Sequence, residues 1–270
     1  SAAALTATDL NALRSIPGVV NATSSVQTPF GNSNWGSGVR MTPDQDGETM
    51  GVSNYIGDEN FIATLGLDLV AGRNFTTDEI NDFGQMRADN AMSFPAVILS
   101  RATAQRLFPD GDALGRSLYI WGDDPSRVVG VVDRLARPND YAGPATYEET
   151  VILPGSVPYS EGVYMVRVND PAQRDAVLAQ ARTTLAEQGP TRIIDAERAL
   201  TLEAMRDRYY RQDRAMAWLL VAVSVALLVV TAPPPIRSAP SPARSRPCRD
   251  SWTCCRSGSS RWSGRRADSC

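Results

Sequence analysis

Two short acidic stretches contain the side chains best suited to chemistry, because neighbouring carboxylates can bind a metal ion or transfer protons. They are the sequence DQDGE, with Asp44, Asp46 and Glu48, and the pair Asp123 and Asp124. A calcium loop beginning at Asp44 would need a bidentate Glu at the position of Tyr55. Adjacent Asp residues such as Asp123 and Asp124 are typical of solvated turns. We therefore expect neither stretch to form an active site.

The residue types that most enzymes use are missing from the body of the chain. There is no His and no Lys, and all four Cys lie at or after Cys248. This excludes a Ser-His-Asp or Cys-His arrangement, imidazole metal ligands, a Schiff-base lysine and a phosphate-loop lysine. We expect no catalytic, cofactor-binding or metal-binding residue, no cofactor, and a protein that is not an enzyme.

The charge is distributed unevenly along the chain. Up to Ala232 there are 19 Arg and 28 acidic residues, a net charge of −9. The last 38 residues carry 8 Arg and 2 acidic residues, a net charge of +6. An acidic body repels a phosphate backbone, so we expect no nucleic-acid partner.

An apolar segment at 215–232 has the character of a truncated transmembrane helix. It contains no charged residue, and as a helix it would span about 27 Å, close to the ~30 Å hydrocarbon core of a bilayer. The alternative is a buried core helix, which is rarely apolar around its whole circumference. Residues 201–214 contain no Gly or Pro, so we predict a juxtamembrane helix that continues into the segment, rather than a flexible linker.

The last 38 residues, 233–270, differ from the rest of the chain. Pro, Ser, Arg, Cys and Trp account for 29 of them, and Ile236 is the single large aliphatic residue. This composition predicts disorder. We interpret the tail as an out-of-frame translation caused by a frameshift near codon 232; the alternative is a genuine basic cytoplasmic tail. The chain also begins at Ser1 without Met, so we expect an upstream portion that this sequence does not contain.

The body alternates short helices with short β-rich runs, which predicts an α+β fold. Extended runs are predicted at 19–26, near 39, and at 50–56, 96–99, 117–121, 127–132, 151–153, 163–168 and 191–194. Helices are predicted from Thr8 to Pro17, from Ser100 to Phe108, and at 171–188 with Asp170 as N-cap and Pro171 at the first helical position.

We expect residues 1–200 to form a two-lobed domain of small mixed β-sheets and helices, followed by a long helix that enters the membrane. Both ends of this domain would build one lobe, and the middle, about 70–137, would form an inserted lobe. The Pro- and Gly-rich stretch 138–162 is predicted to be a surface excursion between the lobes.

Four segments in a fixed order resemble a known family. They are NFIATLGLDLVAGRNFTTDE at 60–79, AVILSRATAQRLFPDGDALGRSLYI at 96–120, RVVGVVDR at 127–134, and the apolar helix that follows YYRQDRAMA. They resemble the MacB-like periplasmic core domain of FtsX-type ABC transporter permeases over about residues 1–232. Within these motifs we expect turn glycines where a Cβ would clash at Gly66, Gly72, Gly111 and Gly115, core residues at Phe75, Leu107 and Phe108, and scaffold ion pairs at Arg73 and Arg116.

The resemblance implies a permease subunit of an ABC-type export or mechanotransmission system, whose periplasmic domain couples ATPase-driven helix motion to the handling of a substrate or partner. It implies four kinds of partner: a separate cytoplasmic ABC ATPase subunit, a second permease in a homo- or heterodimer, the lipid bilayer and a periplasmic adaptor. It also implies the bacterial inner membrane, with the main domain facing the periplasm. The alternative is a single-pass, membrane-anchored extracytoplasmic binding or sensing module.

Overall fold

The computed structural model describes residues 2–31, 33, 35–139, 143–189 and 199–231. The described helices are α1 (Ala2–Arg14), α2 (Phe61–Leu65), α3 (Phe83–Ala88), α4 (Arg101–Leu107), α5 (Arg174–Gln188), α6 (Leu202–Tyr209) and α7 (Arg211–Thr231). The described strands are β1 (Val19–Ser25), β2 (Gly36–Val39), β3 (Met50–Gly57), β4 (Leu69–Gly72), β5 (Asn81–Asp82), β6 (Ala96–Ser100), β7 (Ser117–Leu118), β8 (Ser126–Val132), β9 (Thr150–Ser156) and β10 (Val163–Val168).

A mixed sheet of eight strands forms the larger part of the domain. Its main path runs β2-β3-β9-β6-β8-β4, with β5 beside β9 and β7 beside β8. The β3/β9 and β6/β8 pairs are parallel, and β2/β3, β6/β9 and β4/β8 are antiparallel. Parallel neighbours require crossover connections, so the central strands come from distant parts of the chain.

The central strands are apolar on both faces because both faces are covered. Every residue of β6 is buried. Val97 and Leu99 belong to one core cluster, whereas Ala96 and Ile98 belong to a second. This alternation follows from the period of two in a β-strand, which sends successive side chains to opposite faces. The sheet is therefore a packed layer between two cores.

A second, two-stranded sheet joins the N-terminal and C-terminal parts of the domain. In it β1 pairs with β10 in antiparallel orientation. Helices α1 and α5 cover it with an apolar cluster that contains Leu10, Leu13, Ile16, Val177 and Ala181. Residues from both ends of the domain thus form one small core.

Asp58 connects the β1/β10 layer to the larger sheet. Its carboxylate accepts a 2.6 Å hydrogen bond from the Thr23 hydroxyl of β1 and lies 3.4 Å from the Arg14 guanidinium of α1. Asp58 follows β3 directly, so this contact fixes the small layer against the end of a central strand.

Most predicted elements are present within one or two residues of their expected ends, and the differences have local causes. The first helix begins at Ala2, so the prediction of Thr8 as its N-cap is wrong: the Thr8 hydroxyl donates to the Ala4 carbonyl within the helix. The preceding residues are mostly Ala and Leu, which extend a helix readily. Ser100 caps α4 as predicted, by accepting from the Thr103 N–H.

The C-terminal part of the domain differs more from the prediction. Asp170 accepts from the Ala172 N–H, but the first turn, Pro171–Gln173, is a 3₁₀ turn that precedes α5. The stretch 138–162 includes β9, which is buried at the centre of the large sheet, so its prediction as a surface excursion is wrong for 150–156. The large sheet extends from Gly36 to Ser156, a wider range than the lobe predicted at about 70–137. The strand predicted at 191–194 lies outside the described residues.

Candidate membrane junction

Helix α6 and the start of α7 connect the folded domain to the apolar segment. Thr201 caps α6 by accepting a hydrogen bond from the Ala204 N–H at 3.2 Å. One residue, Tyr210, interrupts the helix with φ −86° and ψ 7°. The Tyr210 N–H still donates to the Arg206 carbonyl, and the Arg214 N–H donates to the Tyr210 carbonyl. The predicted continuous helix is thus two helices separated by one residue, Tyr210, which is hydrogen-bonded to both of them.

Three aromatic rings meet at this break. The Phe30 ring centroid lies 6.0 Å from that of Tyr209 and 6.0 Å from that of Tyr210. The two Tyr rings lie 5.0 Å apart in an edge-on arrangement. These spacings are in the attractive range for aromatic pairs. The cluster fixes α6 to the loop between β1 and β2.

Phe30 adopts a backbone conformation that is unfavourable for its side chain. Its φ is +62°, in the left-handed region. The Gly31 N–H donates to the Thr28 carbonyl at 3.1 Å, closing a tight turn with Pro29 and Phe30 at its centre. Turns with Pro followed by a positive φ normally place Gly or Asn at the second position. Such strain persists only where the surrounding structure holds the residue, and here the Phe30 ring contacts Tyr209 and Tyr210.

A buried amide holds the loop that presents Phe30. The Gln27 side chain is 2% exposed. Its Nε2 donates to the Asn54 carbonyl at 2.7 Å and to the Trp35 carbonyl at 3.1 Å, and its Oε1 accepts from the Trp35 N–H at 3.0 Å. Both ends of the loop are thereby tied to each other and to the central strand β3.

Tyr147 supplies a second contact to the same helix break. Its hydroxyl lies 2.9 Å from that of Tyr210, within hydrogen-bonding distance. The Tyr147 carbonyl accepts from the Arg137 N–H at 2.8 Å. The Arg137 side chain donates to the carbonyls of Glu149 and Gly51 at 3.2 and 3.0 Å. The position of Tyr147 is thus fixed by a buried arginine that bonds strand β3.

Two titratable groups near the junction, Arg137 and Tyr55, have shifted pKa values and hydrogen-bond the backbone, which is typical of a structural role. Burial lowers the pKa of the Arg137 guanidinium, against the opposing effect of Glu149. Burial also raises the pKa of Tyr55 well above its usual value, and its hydroxyl donates to the Ala136 carbonyl at 2.7 Å. A tyrosine with a raised pKa stays neutral at physiological pH.

One ion pair on the exposed surface adds to the junction. Arg174, at the start of α5, lies 2.8 Å from Glu203 in the first turn of α6. Both side chains are largely exposed, so the pair contributes at most about 1 kcal/mol. The aromatic contacts are therefore the main attachment of α6.

Helix α7 is long and apolar enough to cross a membrane. It has 21 residues, a mean hydropathy of 2.1 over its most apolar window, and no buried residue in that window. The hydroxyls of Ser224 and Thr231 donate to the carbonyls of Leu220 and Leu227, which satisfies them without water. The helix ends at Thr231, close to the predicted end at 232. The tail predicted at 233–270 lies outside the described residues.

The two acidic stretches lie in turns that are held by contacts within the protein. The Gln45 side chain accepts from the Met41 N–H and donates to the Thr49 hydroxyl, which closes the DQDGE loop on itself. Asp123 pairs with Arg40 at 3.2 Å. Among the residues described, no group of three or more acidic, His or Cys side chains is placed to hold a metal ion.

The motif residues are distributed through the scaffold. Arg73 forms a bidentate ion pair with Glu79 at 2.7 and 2.8 Å, as predicted. Arg116 lies 5.1 Å from the Phe108 ring centroid, a cation–π contact in place of the predicted ion pair. Phe75, Leu107 and Phe108 are buried as predicted.

Three of the four predicted turn glycines have a positive φ: Gly66, Gly72 and Gly115. A Cβ on Gly66 or Gly72 would come within 3 Å of a neighbouring atom, whereas one on Gly115 would make only ordinary contacts. Gly111 has open space around it, so the clash predicted at Gly111 and at Gly115 is wrong. The Phe30 contact was not predicted. The aromatic pair Tyr209–Tyr210 before an apolar helix is the one sequence feature that marks this side of the contact, and it does not identify Phe30 as the partner.

The family follows from the sequence match. Residues 1–184 match the model of the MacB-like periplasmic core domain, which is most of the chain. The chain therefore belongs to this family, a domain of ABC-type transporter permeases.

Solved structures were also compared with the chain. The extracellular domain of the noncanonic ABC-type transporter YknZ from Gram-positive bacteria is 17% identical with a TM-score of 0.45, over 68% of this chain and 84% of that one. The periplasmic region of MacB from Actinobacillus actinomycetemcomitans is 17% identical with a TM-score of 0.41, over 67% and 74%. A domain described as part of a permease protein from Porphyromonas gingivalis is 17% identical with a TM-score of 0.39, over 64% and 68%. No curated protein sequence matches the chain.

Proposed function

We propose that this chain couples helix motion, driven by a separate cytoplasmic ABC ATPase, to the handling of a substrate or partner outside the cytoplasmic membrane. In this proposal α7 lies in the bacterial inner membrane and the domain faces the periplasm. The permease works as a homo- or heterodimer and receives a periplasmic adaptor. Its role is mechanical, and it has no catalytic residue of its own.

The observation that carries the proposal is the double attachment of one helix break to the domain. Tyr210 contacts Phe30, whose loop is held by Gln27, and Tyr147, whose segment is held by Arg137. Both holding side chains bond backbone carbonyls in β3, at Asn54 and Gly51. Movement of α6 would therefore act on a central strand and not on a free loop.

The transmission of motion from the membrane segment to the domain would depend on the rigidity of helices α6 and α7. A helix transmits displacement along its axis with little loss, whereas a flexible linker absorbs it. The described residues 199–231 are helical from Leu202 to Thr231 except at Tyr210. A displacement of α7 in the bilayer would thus reach the aromatic contacts at the break.

The first test determines whether the full chain is in the membrane and which proteins co-purify with it. Bacterial membranes containing it are extracted with carbonate at high pH, and proteins that co-purify in mild detergent are identified by mass spectrometry. We expect the chain to stay with the lipid and to retain an ABC ATPase. A chain that enters the aqueous fraction contradicts the proposal. Anchoring with no ATPase would instead favour a single-pass sensing module.

Coupling itself is tested in the co-purified complex. Phe30→Ala and Tyr210→Ala should change ATP hydrolysis several-fold, because the helix loses its hold on the domain. Tyr119→Phe is the matched control, because its hydroxyl makes no bond at the junction. Equal hydrolysis rates in all variants would contradict a coupling role for the junction.

A further inference from the structure

Four aromatic rings from residues close to strands β2, β5, β6 and β7 form a row. The Phe83 ring lies 5.5 Å from that of Trp35, which lies 5.0 Å from that of Trp121, which in turn lies 5.4 Å from that of Phe94. Both Phe are buried, whereas both Trp are only half-buried. The row therefore lies at the edge of a core, with both indoles partly exposed.

Three methionines extend this edge. Met41, Met86 and Met92 are half-buried and pack against the same core cluster as the two Trp. Arg40, next to Met41, donates to the carbonyl of Gly122, next to Trp121. We call Trp35, Met41, Met86, Met92 and Trp121 the Trp–Met surface. Trp and Met are the residue types enriched in protein interfaces, and Met adapts its shape to a partner.

Acidic side chains lie within a few residues of Met41, Met86, Met92 and Trp121 in the chain, and we call them the acidic rim. The segments 40–49, 83–92 and 121–125 carry six acidic residues and two Arg, a net charge of −4. Both Arg are already paired, Arg40 with Asp123 at 3.2 Å and Arg87 with Glu161 at 2.8 Å. Asp44, Asp46, Glu48 and Asp124 are exposed and make no ion pair with another described residue.

We propose that the Trp–Met surface with its acidic rim docks a basic, amphipathic segment of a partner protein. The apolar side of such a segment would cover the indoles and methionines, and its Lys or Arg residues would face the rim. This inference does not depend on the coupling role proposed above.

Charge and shape select this occupant. A second copy of this chain would bring the same acidic rim, and an anionic lipid surface or nucleic acid would be repelled in the same way. A small molecule needs a concave site that encloses it. Two clefts, of about 280 and 390 Å³, lie elsewhere, beside α4 and on α5. A row of rings at the surface fits a protein segment better.

The test uses the full chain in nanodiscs of neutral lipid, with calorimetry as the readout. The probe is a synthetic helical peptide of about ten residues, roughly the length of the ring row, with Leu on one face and Lys on the other. We expect saturable binding that Trp121→Ala weakens at least tenfold. The double variant Asp123→Asn/Asp124→Asn should weaken it several-fold and reduce its dependence on salt.

Matched controls separate this surface from general attraction to an acidic protein. The double variant Asp175→Asn/Glu187→Gln removes two exposed charges from α5 and should leave binding unchanged. A peptide with Glu in place of Lys should not bind. The proposal is overturned if the Glu peptide binds equally, if Trp121→Ala binds as tightly as the unaltered chain, or if binding requires anionic lipid in the nanodisc. If Trp121→Ala fails to fold by circular dichroism, the Asp123→Asn/Asp124→Asn result decides alone.

Discussion

The hydroxyl oxygens of Tyr147 and Tyr210 lie 2.9 Å apart, in a hydrogen bond that joins the helix break to a segment held by Arg137. Removing one hydroxyl, in Tyr210→Phe, keeps the ring contacts with Phe30 and deletes only this bond. We expect α6 to lose about 0.5–1.5 kcal/mol of docking free energy, the usual net value of such a bond. Hydrogen exchange of residues 202–209 measures the loss.

The double variant Tyr147→Phe/Tyr210→Phe makes that test specific. If the two hydroxyls bond each other, the double variant should exchange no faster than the more affected of the two single variants. Tyr119→Phe is the control for removal of a tyrosine hydroxyl elsewhere. Additive losses in the double variant would show that the two hydroxyls act separately.

Phe30 combines a favourable ring contact with an unfavourable backbone, and two substitutions separate them. Phe30→Ala removes the ring and keeps the strain of a positive φ, whereas Phe30→Gly removes both. We expect both variants to release α6 to a similar degree. The free energy of unfolding, measured with denaturant, should be about 1 kcal/mol higher for the Gly variant than for the Ala variant. The reason is that Gly adopts this conformation without steric cost. Equal stability would contradict the strain.

Periodicity and turn chemistry were sufficient to predict most strands. The runs at 50–56, 96–99, 127–132 and 163–168 were predicted from β-branched and apolar residues, and they form β3, β6, β8 and β10. Long-range pairing was not predictable in this way. The 138–162 stretch has many Pro and Gly, and nothing local shows that β9 inserts between β3 and β6. That placement is decided by the two cores that cover the strand.

The junction could be predicted only in part. An apolar segment preceded by helix formers is visible in the sequence, and it forms α6 and α7. The partners of Tyr210 are far away in the chain, at Phe30 and Tyr147, and neither belongs to a recognisable motif. The left-handed turn at Phe30 is also hidden, because local preference would place Gly there.

Two glycines in the motifs that resemble the family should differ in how well they tolerate substitution by alanine. At Gly72 the φ is +73° and a Cβ would lie 2.2 Å from the Val129 carbonyl oxygen, a backbone atom that cannot move aside. Gly72→Ala should therefore destabilise the domain by roughly 2 kcal/mol or more. Gly111→Ala is the matched control, because its Cβ would meet nothing within 4 Å, and we expect a change within about 0.5 kcal/mol. Denaturant unfolding measures both, and equal effects would contradict the close approach at Gly72.

The Arg73–Glu79 pair makes stability depend on pH. The Arg73 hydrogen bond, with further bonds from Thr76, lowers the pKa of Glu79 from 4.5 to about 2. Because the pKa in the folded state is depressed, the pair stabilises the fold fully above pH 4.5 and loses its effect as pH falls towards 2. Arg73→Gln should be less stable than the unaltered chain at pH 6, and the difference should shrink through this window. A difference that is constant from pH 6 to about 2 would contradict the pairing.

Helix α7 should tolerate apolar exchanges and reject a charge at its middle. Val225 is half-exposed and lies near the centre of the helix. In a bilayer, Val225→Arg would place a charge in the hydrocarbon core at a cost of about 2.5–3.5 kcal/mol. We expect carbonate extraction to release a large share of this variant and none of Val225→Leu, the size-matched apolar control. Circular dichroism should be the same for both, because the buried core clusters of the domain do not include Val225. If Val225→Arg remained in the lipid fraction as completely as Val225→Leu, α7 would not be embedded in the membrane at this position.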